Sequence, residues 1–234
     1  MLDKTRRIQA AEQFVDQHFT NVLAVFLAGS TARGEQKAQS DIDLLVITEE
    51  KPTYNRKCIR EDGVDYELFV YEETSFYIYL SSECMIGNPS LARMCSESII
   101  INGAEKAQQL KQHGEEMLRE GMPELTQSQI DYMRYTVTDL LLDLEDCERQ
   151  CEQMFIAQAL MKEFTEFWLK VNGQWIGQGK WLSRALFQYD EKAANECCTS
   201  FQRFFETGDK HAIIDYVDMK LAVFGGRLFD GFEQ

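Results

Sequence analysis

Asp41 and Asp43 stand one residue apart in Asp41-Ile42-Asp43-Leu44, with ten residues between Gly29-Ser30 and Asp41. In a β-strand, residues two apart project to the same face, with Cα atoms about 6.5–7 Å apart. The two carboxylates would therefore point one way and Ile42 and Leu44 the other. Carboxylates in a buried strand must be solvated, protonated, ion-paired or holding a cation. Hard divalent ions suit such a pair, since Mg²⁺ takes a few carboxylate oxygens and keeps positions open for phosphate and water. Two such ions about 3.5–4 Å apart can activate a nucleophile and stabilise a leaving phosphate. Gly29 lets the backbone turn sharply and come close to a ligand. The Ser30 hydroxyl and successive N–H groups at a helix start form a phosphate cradle. An edge strand with a solvated Asp pair explains Asp-Ile-Asp alone; the longer pattern, apolar strand, Gly-Ser, spacer, Asp-Ile-Asp-Leu, points to metal and phosphate chemistry.

The elements that must position these residues are readable from periodicity. Ile8, Ala11, Val15 and Phe19 step at helical spacing over residues 4–19. Val22 to Ala28 is an apolar strand ended by Gly29, and Asp41 to Thr48 is a second. Asn55 to Arg60 and Val64 to Tyr71 read as two more, turned by Glu61-Asp62-Gly63. A helix over 72–85 is broken by Asn88-Pro89, a short strand covers 98–101, and a helix covers 104–120. After Gly121-Met122-Pro123 the texture turns helical. Ile130, Met133, Val137, Leu140, Leu144, Cys147 and Cys151 keep one apolar stripe, which places both cysteines in the core. Further helices are predicted over 152–171, 191–205 and 209–224. The expected fold is α+β: a mixed-sheet domain with flanking helices at 1–121 and an all-α bundle at 122–234.

The 234 residues are 44% hydrophobic, enough for packed cores, and carry a formal charge of −15. That balance argues against a nucleic-acid or anionic-membrane partner, which needs a basic surface, and suits a neutral or cationic small molecule. Seven cysteines without a CxxC pair, and a charged amphipathic start, predict reduced thiols and a cytoplasmic location. No stretch approaches the roughly 20 apolar residues of a membrane helix. His18, His113 and His211 have no zinc spacing.

The segment from Phe26 to Thr48 resembles the signature of the DNA polymerase beta-like nucleotidyltransferase superfamily. Thr31, Ala32, Arg33, Gly34 and Ser40 are similar to the antibiotic (aminoglycoside, kanamycin-type) nucleotidyltransferases and their small bacterial relatives. The resemblance covers about residues 20–72. It implies transfer of a nucleoside monophosphate, AMP from ATP first, from a Mg²⁺-bound triphosphate to a hydroxyl, with two-metal catalysis by Asp41 and Asp43 and nucleotide contacts from Gly29, Ser30, Arg33 and Ser40. It also implies a third carboxylate from a neighbouring strand, as metal ligand or base. Tyr66-Glu67-Leu68-Phe69-Val70-Tyr71 matches that place, so Glu67 is preferred and Asp65 is the fallback.

In the helical half, Lys180 and Arg184 stand one turn apart after the 173–179 loop and could reach the triphosphate; surface charge is the plainer reading. Trp175 and Trp181 flank that loop and could stack or simply pack. Asp139, Asp143 and Asp146 form an acidic stripe, a solvated helix face or a seat for an amino-sugar. Arg227, in the closing Gly-Gly-Arg-Leu-Phe-Asp-Gly-Phe run, could fold back over the site. The leading expectation is an enzyme nucleotidylating a small, hydroxyl-bearing and cationic molecule. The alternatives are nucleotidylation of a protein, as in toxin-neutralising relatives, and a nucleotide-binding interaction protein without turnover. Monomer and homodimer both stay open.

Overall fold

A computed structural model describes residues 3–233. It divides into two compact units, one up to Gly121 and one from Met122.

The first unit opens with helix α1, Lys4–His18, capped by the Asp3 carboxylate accepting from the Arg6 N–H at 2.9 Å. Strand β1, Val22–Leu27, runs into a one-turn helix α2, Gly29–Arg33, and strand β2 follows at Ile42–Thr48. Strands β3, Arg56–Glu61, and β4, Val64–Glu72, form a hairpin. Its two turn residues, Asp62 and Gly63, both have positive φ (50° and 77°), the conformation that matches strand twist in a two-residue turn. Helices α3, Glu73–Met85, and α4, Ser90–Ser96, strand β5, Ile99–Asn102, and helix α5, Ala104–Glu120, complete the unit. The Asn88-Pro89 break is followed directly by the short helix α4. The Glu83 carboxylate of α3 caps it, accepting from the Leu91 N–H at 2.7 Å.

The five strands lie in the order β3-β4-β2-β1-β5. Strands β2 and β4 are parallel; β1 with β2, β1 with β5, and β3 with β4 are antiparallel. One face packs Val25, Leu27, Ile42, Leu44, Val46, Leu68 and Val70 against Ala11, Phe14 and Val15 of α1. Phe26, Leu45 and Ile47 alternate onto the other face and are fully buried as well. Asp43 lies on that second face, at the start of β2, and is partly exposed.

The second unit is helical: α6, Gln127–Asp146; α7, Gln150–Val171; α8, Lys180–Tyr189; α9, Glu191–Thr207; and α10, His211–Leu221, continued by a 3₁₀ turn Ala222–Phe224. Thr126 and Gln129 form a reciprocal capping box at the start of α6. Val137, Leu141, Leu144, Leu160, Phe164, Phe167, Phe201, Ile213 and Val217 make its core.

One expectation is corrected here. The apolar stripe does not run through Cys151: α6 stops at Asp146 and Cys147 turns extended (ψ 128°), so the helical phase is lost. Cys151 is exposed on the first turn of α7 and Cys147 is half-buried. Lys210 closes that break, its Nζ donating to the carbonyls of Leu144 and Cys147 at 3.2 Å each and to that of Glu145. Arg227 is held within the second unit. It donates to both carboxylate oxygens of Glu145 (2.9 and 2.7 Å) and both of Asp218 (2.7 Å each), which ties the C-terminal run to α6 and α10. These bonds use four of the five donors of the guanidinium.

Candidate metal and nucleotide site

Each of Asp41, Asp43 and Glu67 offers a carboxylate oxygen, and these oxygens all lie within 4.8 Å of one another. The sheet brings this about. Asp43 sits directly opposite Glu67 in the parallel β2–β4 register, so the two side chains share a face. Asp41 precedes β2 by one residue and, two before Asp43, joins the same side. The end of β1 is stitched to this point by the Ala28 N–H, which donates to the Asp43 carbonyl at 2.9 Å.

Gly29 follows at φ +65°, and a Cβ built there would lie 1.7 Å from Oδ2 of Asp43. Only glycine lets the backbone pass so close to the carboxylate and hold the left-handed conformation. Its successor Ser30 is the second residue of α2, which ends at Arg33 and is capped by Gly34, with the Glu35 N–H donating to the Ser30 carbonyl at 2.8 Å.

Helix α1 clamps this assembly from the opposite face of the sheet. Arg7, only 3% exposed, donates through Nη1 to the carbonyls of Ser40 (2.8 Å) and Asp41 (3.2 Å), and through Nη2 to that of Lys37 (3.2 Å). Lys4 Nζ donates to the Ala32 carbonyl at the end of α2 at 2.9 Å. The Ser40 hydroxyl accepts from the Lys37 N–H at 2.8 Å and closes the loop that delivers Asp41.

The edge strand β3 supplies positive charge. Arg56 places both Nε and Nη2 on Oε1 of Glu67, and its guanidinium is raised above its ordinary pKa first by that hydrogen bond and then by the carboxylate's charge. Arg60 forms a two-point pair with Asp65 (2.6 and 2.7 Å) that holds the Asp65 carboxyl below the usual carboxylate range. Asp65 therefore lies on the Glu67 face but is turned to the hairpin; it is not among the three carboxylates that converge.

Of the other residues singled out in the sequence, Arg33 is ion-paired with Glu35 (3.3 Å) and Glu97 (3.0 Å). Lys180 and Arg184 belong to the second unit, where both stand over the Trp181 ring, 5.8 and 4.5 Å from its centroid. Asp139 and Asp143 are exposed on α6. Arg7, Arg56 and Arg60 escaped the sequence reading. Arg7 lies on a helix whose charges read as solvent-facing. The β3 arginines did leave a signal: Arg56, Cys58 and Arg60 alternate with period two on the strand predicted next to Glu67.

The donor set is oxygen-only, partly open to solvent and anionic, which fits Mg²⁺ or Mn²⁺ and not a thiolate-loving or imidazole-bound metal. Residues 8–91 match the family model of a nucleotidyltransferase domain. A structure described as a nucleotidyltransferase-like protein from Exiguobacterium sibiricum 255-15 is similar in fold, with a TM-score of 0.52 at 13% identity over 92% of this chain and 74% of that one. No curated protein matches the chain.

Proposed function

We propose that this chain is a nucleotidyltransferase that moves a nucleoside monophosphate from a magnesium-bound nucleoside triphosphate, ATP first, to the hydroxyl of a small molecule. The observation that carries the reading is the convergence of Asp41, Asp43 and Glu67 beside a glycine that must stay side-chain-free, Gly29. The match of residues 8–91 to a nucleotidyltransferase domain supports the same chemistry.

Asp41 and Asp43 would hold the divalent ions, with Glu67 as third ligand or as base. Such ions, when bound, neutralise the triphosphate and polarise the phosphorus under attack. The chain's own groups do the rest. Gly29 and Ser30 leave backbone N–H groups and a hydroxyl for phosphate oxygens. Arg7 holds Asp41 from behind. In the transfer, the acceptor oxygen forms a bond to the α-phosphorus and the bond from that phosphorus to the bridging oxygen breaks. Pyrophosphate leaves with the electron pair, and the hydroxyl proton passes to Glu67 or to water.

The test is incubation with Mg²⁺, each labelled nucleoside triphosphate in turn, and a panel of hydroxyl compounds that includes aminoglycosides, lincosamides and sugar phosphates, read by mass spectrometry. A product heavier than its acceptor by one nucleoside monophosphate, absent with Asp43→Asn, is the expected result. Failure of the protein to bind Mn²⁺–ATP at all would overturn the reading.

A further inference from the structure

Sheet order separates the two sides of the carboxylate triad. Gly29 and Ser30 follow β1, on one side of β2; Glu67 and Arg56 lie on β4 and β3, on the other. If the triphosphate rests on the Gly29-Ser30 side, the acceptor approaches across β4 and β3. On that side Arg56, Cys58 and Arg60 share the face of Glu67 and Asp65, because Cys58 is in register with Glu67 and Arg60 with Asp65. All three are exposed on an edge strand, and the Arg56 side chain is 68% exposed.

The two arginines are held differently. Arg60 takes both oxygens of Asp65, a carboxylate outside the triad. Arg56 takes a single oxygen, Oε1, of Glu67, a carboxylate inside it. A divalent cation drawn to three converging carboxylates repels a guanidinium beside it and competes with it for Glu67. Cation entry therefore frees Arg56 and leaves Arg60 in place. A freed guanidinium with a planar donor fork, on the acceptor side of the site, seeks an oxyanion.

We infer that Arg56 determines acceptor specificity: released from Glu67 by the cation, it binds an anionic group, phosphate or carboxylate, carried by the acceptor near its reactive hydroxyl. This rests on the nucleotidyltransferase reading and departs from the polycationic acceptor suggested by the antibiotic enzymes.

The experiment is isothermal calorimetry on the full chain loaded with Mn²⁺ and α,β-methylene-ATP, a donor analogue that cannot transfer. The loaded protein is titrated with glucose 6-phosphate, glucose and kanamycin. Glucose 6-phosphate is expected to bind at least about tenfold tighter than the other two, the effect of one charge-assisted hydrogen-bonded pair. Omitting Mn²⁺ should remove that preference, Arg56→Gln should remove it, and Arg60→Gln should keep it. Kanamycin binding as tightly as glucose 6-phosphate overturns the inference, as does a preference that survives Arg56→Gln or needs no Mn²⁺. If the wild-type chain binds the Mn²⁺–analogue complex no better than Asp43→Asn does, the nucleotidyltransferase reading itself fails. Arg56 is exposed, so its substitution should not unfold the unit; circular dichroism of each variant checks this.

Discussion

Asp43 is held from several directions: its carbonyl accepts from Ala28, its strand partner is Glu67, and its Oδ2 lies where a side chain on Gly29 would begin. Asp43→Asn removes one charge from three crowded carboxylates without changing shape. Mn²⁺ binding, followed by electron paramagnetic resonance, is expected to fall at least about tenfold, with the Tm within a few degrees of wild type, since like charges at close range oppose folding. An unchanged Mn²⁺ affinity would remove Asp43 from the metal site. Gly29→Val is expected to be worse for the fold. A β-branched residue at φ +65° costs about 1–2 kcal/mol in backbone strain alone. The Cβ, only 1.7 Å from Oδ2, must also push Asp43 away. Loss of both Tm and Mn²⁺ binding is the expected pair of outcomes; normal metal binding by this variant would show that the close approach does not shape the site.

At the scale of elements, two arginines do what no strand or helix does by itself. Arg7 carries α1 onto the loop before β2, with its guanidinium spread over the carbonyls of residues 37, 40 and 41. Arg7→Met keeps the buried aliphatic stem and deletes these donors. It should lower Mn²⁺ affinity about tenfold and cost roughly 1–3 kcal/mol in urea unfolding, the range for buried acceptors left unpaired; Arg7→Lys should recover part of both. Arg227 joins α6, α10 and the C-terminal run, and its hydrogen bonds hold the Glu145 carboxyl below its ordinary range. A carboxylate with a depressed folded pKa stabilises the fold above its unfolded value, about 4.3, and that contribution disappears as pH falls through the lower folded value. Arg227→Met is therefore expected to lower the Tm at pH 7, by the equivalent of about 1 kcal/mol once solvent screening is allowed for, and the gap to wild type should narrow below about pH 4. A gap independent of pH would mean that packing of the tail, not the ion pairs, is what Arg227 supplies. These arginines also mark the limit of sequence reading. The strands, the hairpin turn and the shared face of Asp41 and Asp43 follow from period-two alternation and spacing, which are local; Glu67 is singled out by the family resemblance, and its place beside Asp43 depends on the pairing of β2 with β4. Which carbonyl Arg7 reaches, and which carboxylate Arg56 takes, depends on contacts between distant segments that leave no local period. The lost phase at Cys147 has the same origin: Lys210, sixty-odd residues away, caps the break.

On the scale of the whole molecule, each unit has a core of its own: α1 against the sheet in the first, the packed helices α6 to α10 in the second. All three triad carboxylates, Gly29, Ser30, Arg7 and Arg56 lie in the first; Lys180 and Arg184 lie in the second. A fragment of residues 1–121 falls within the usual size of a domain that folds alone and should unfold in one cooperative transition. Its affinity for Mn²⁺ alone is expected to equal that of the full chain within about twofold, because every carboxylate ligand is retained. Its affinity for Mn²⁺–ATP is expected to be retained as well, because Gly29 and Ser30, the proposed phosphate contacts, stay with the three carboxylates in the first unit. Calorimetry of the fragment and of the full chain with Mn²⁺ alone and with Mn²⁺–ATP measures both affinities. If the fragment binds Mn²⁺–ATP at least about tenfold more weakly than the full chain, the equivalent of one charge-assisted contact to phosphate, the first unit does not hold the whole nucleotide site.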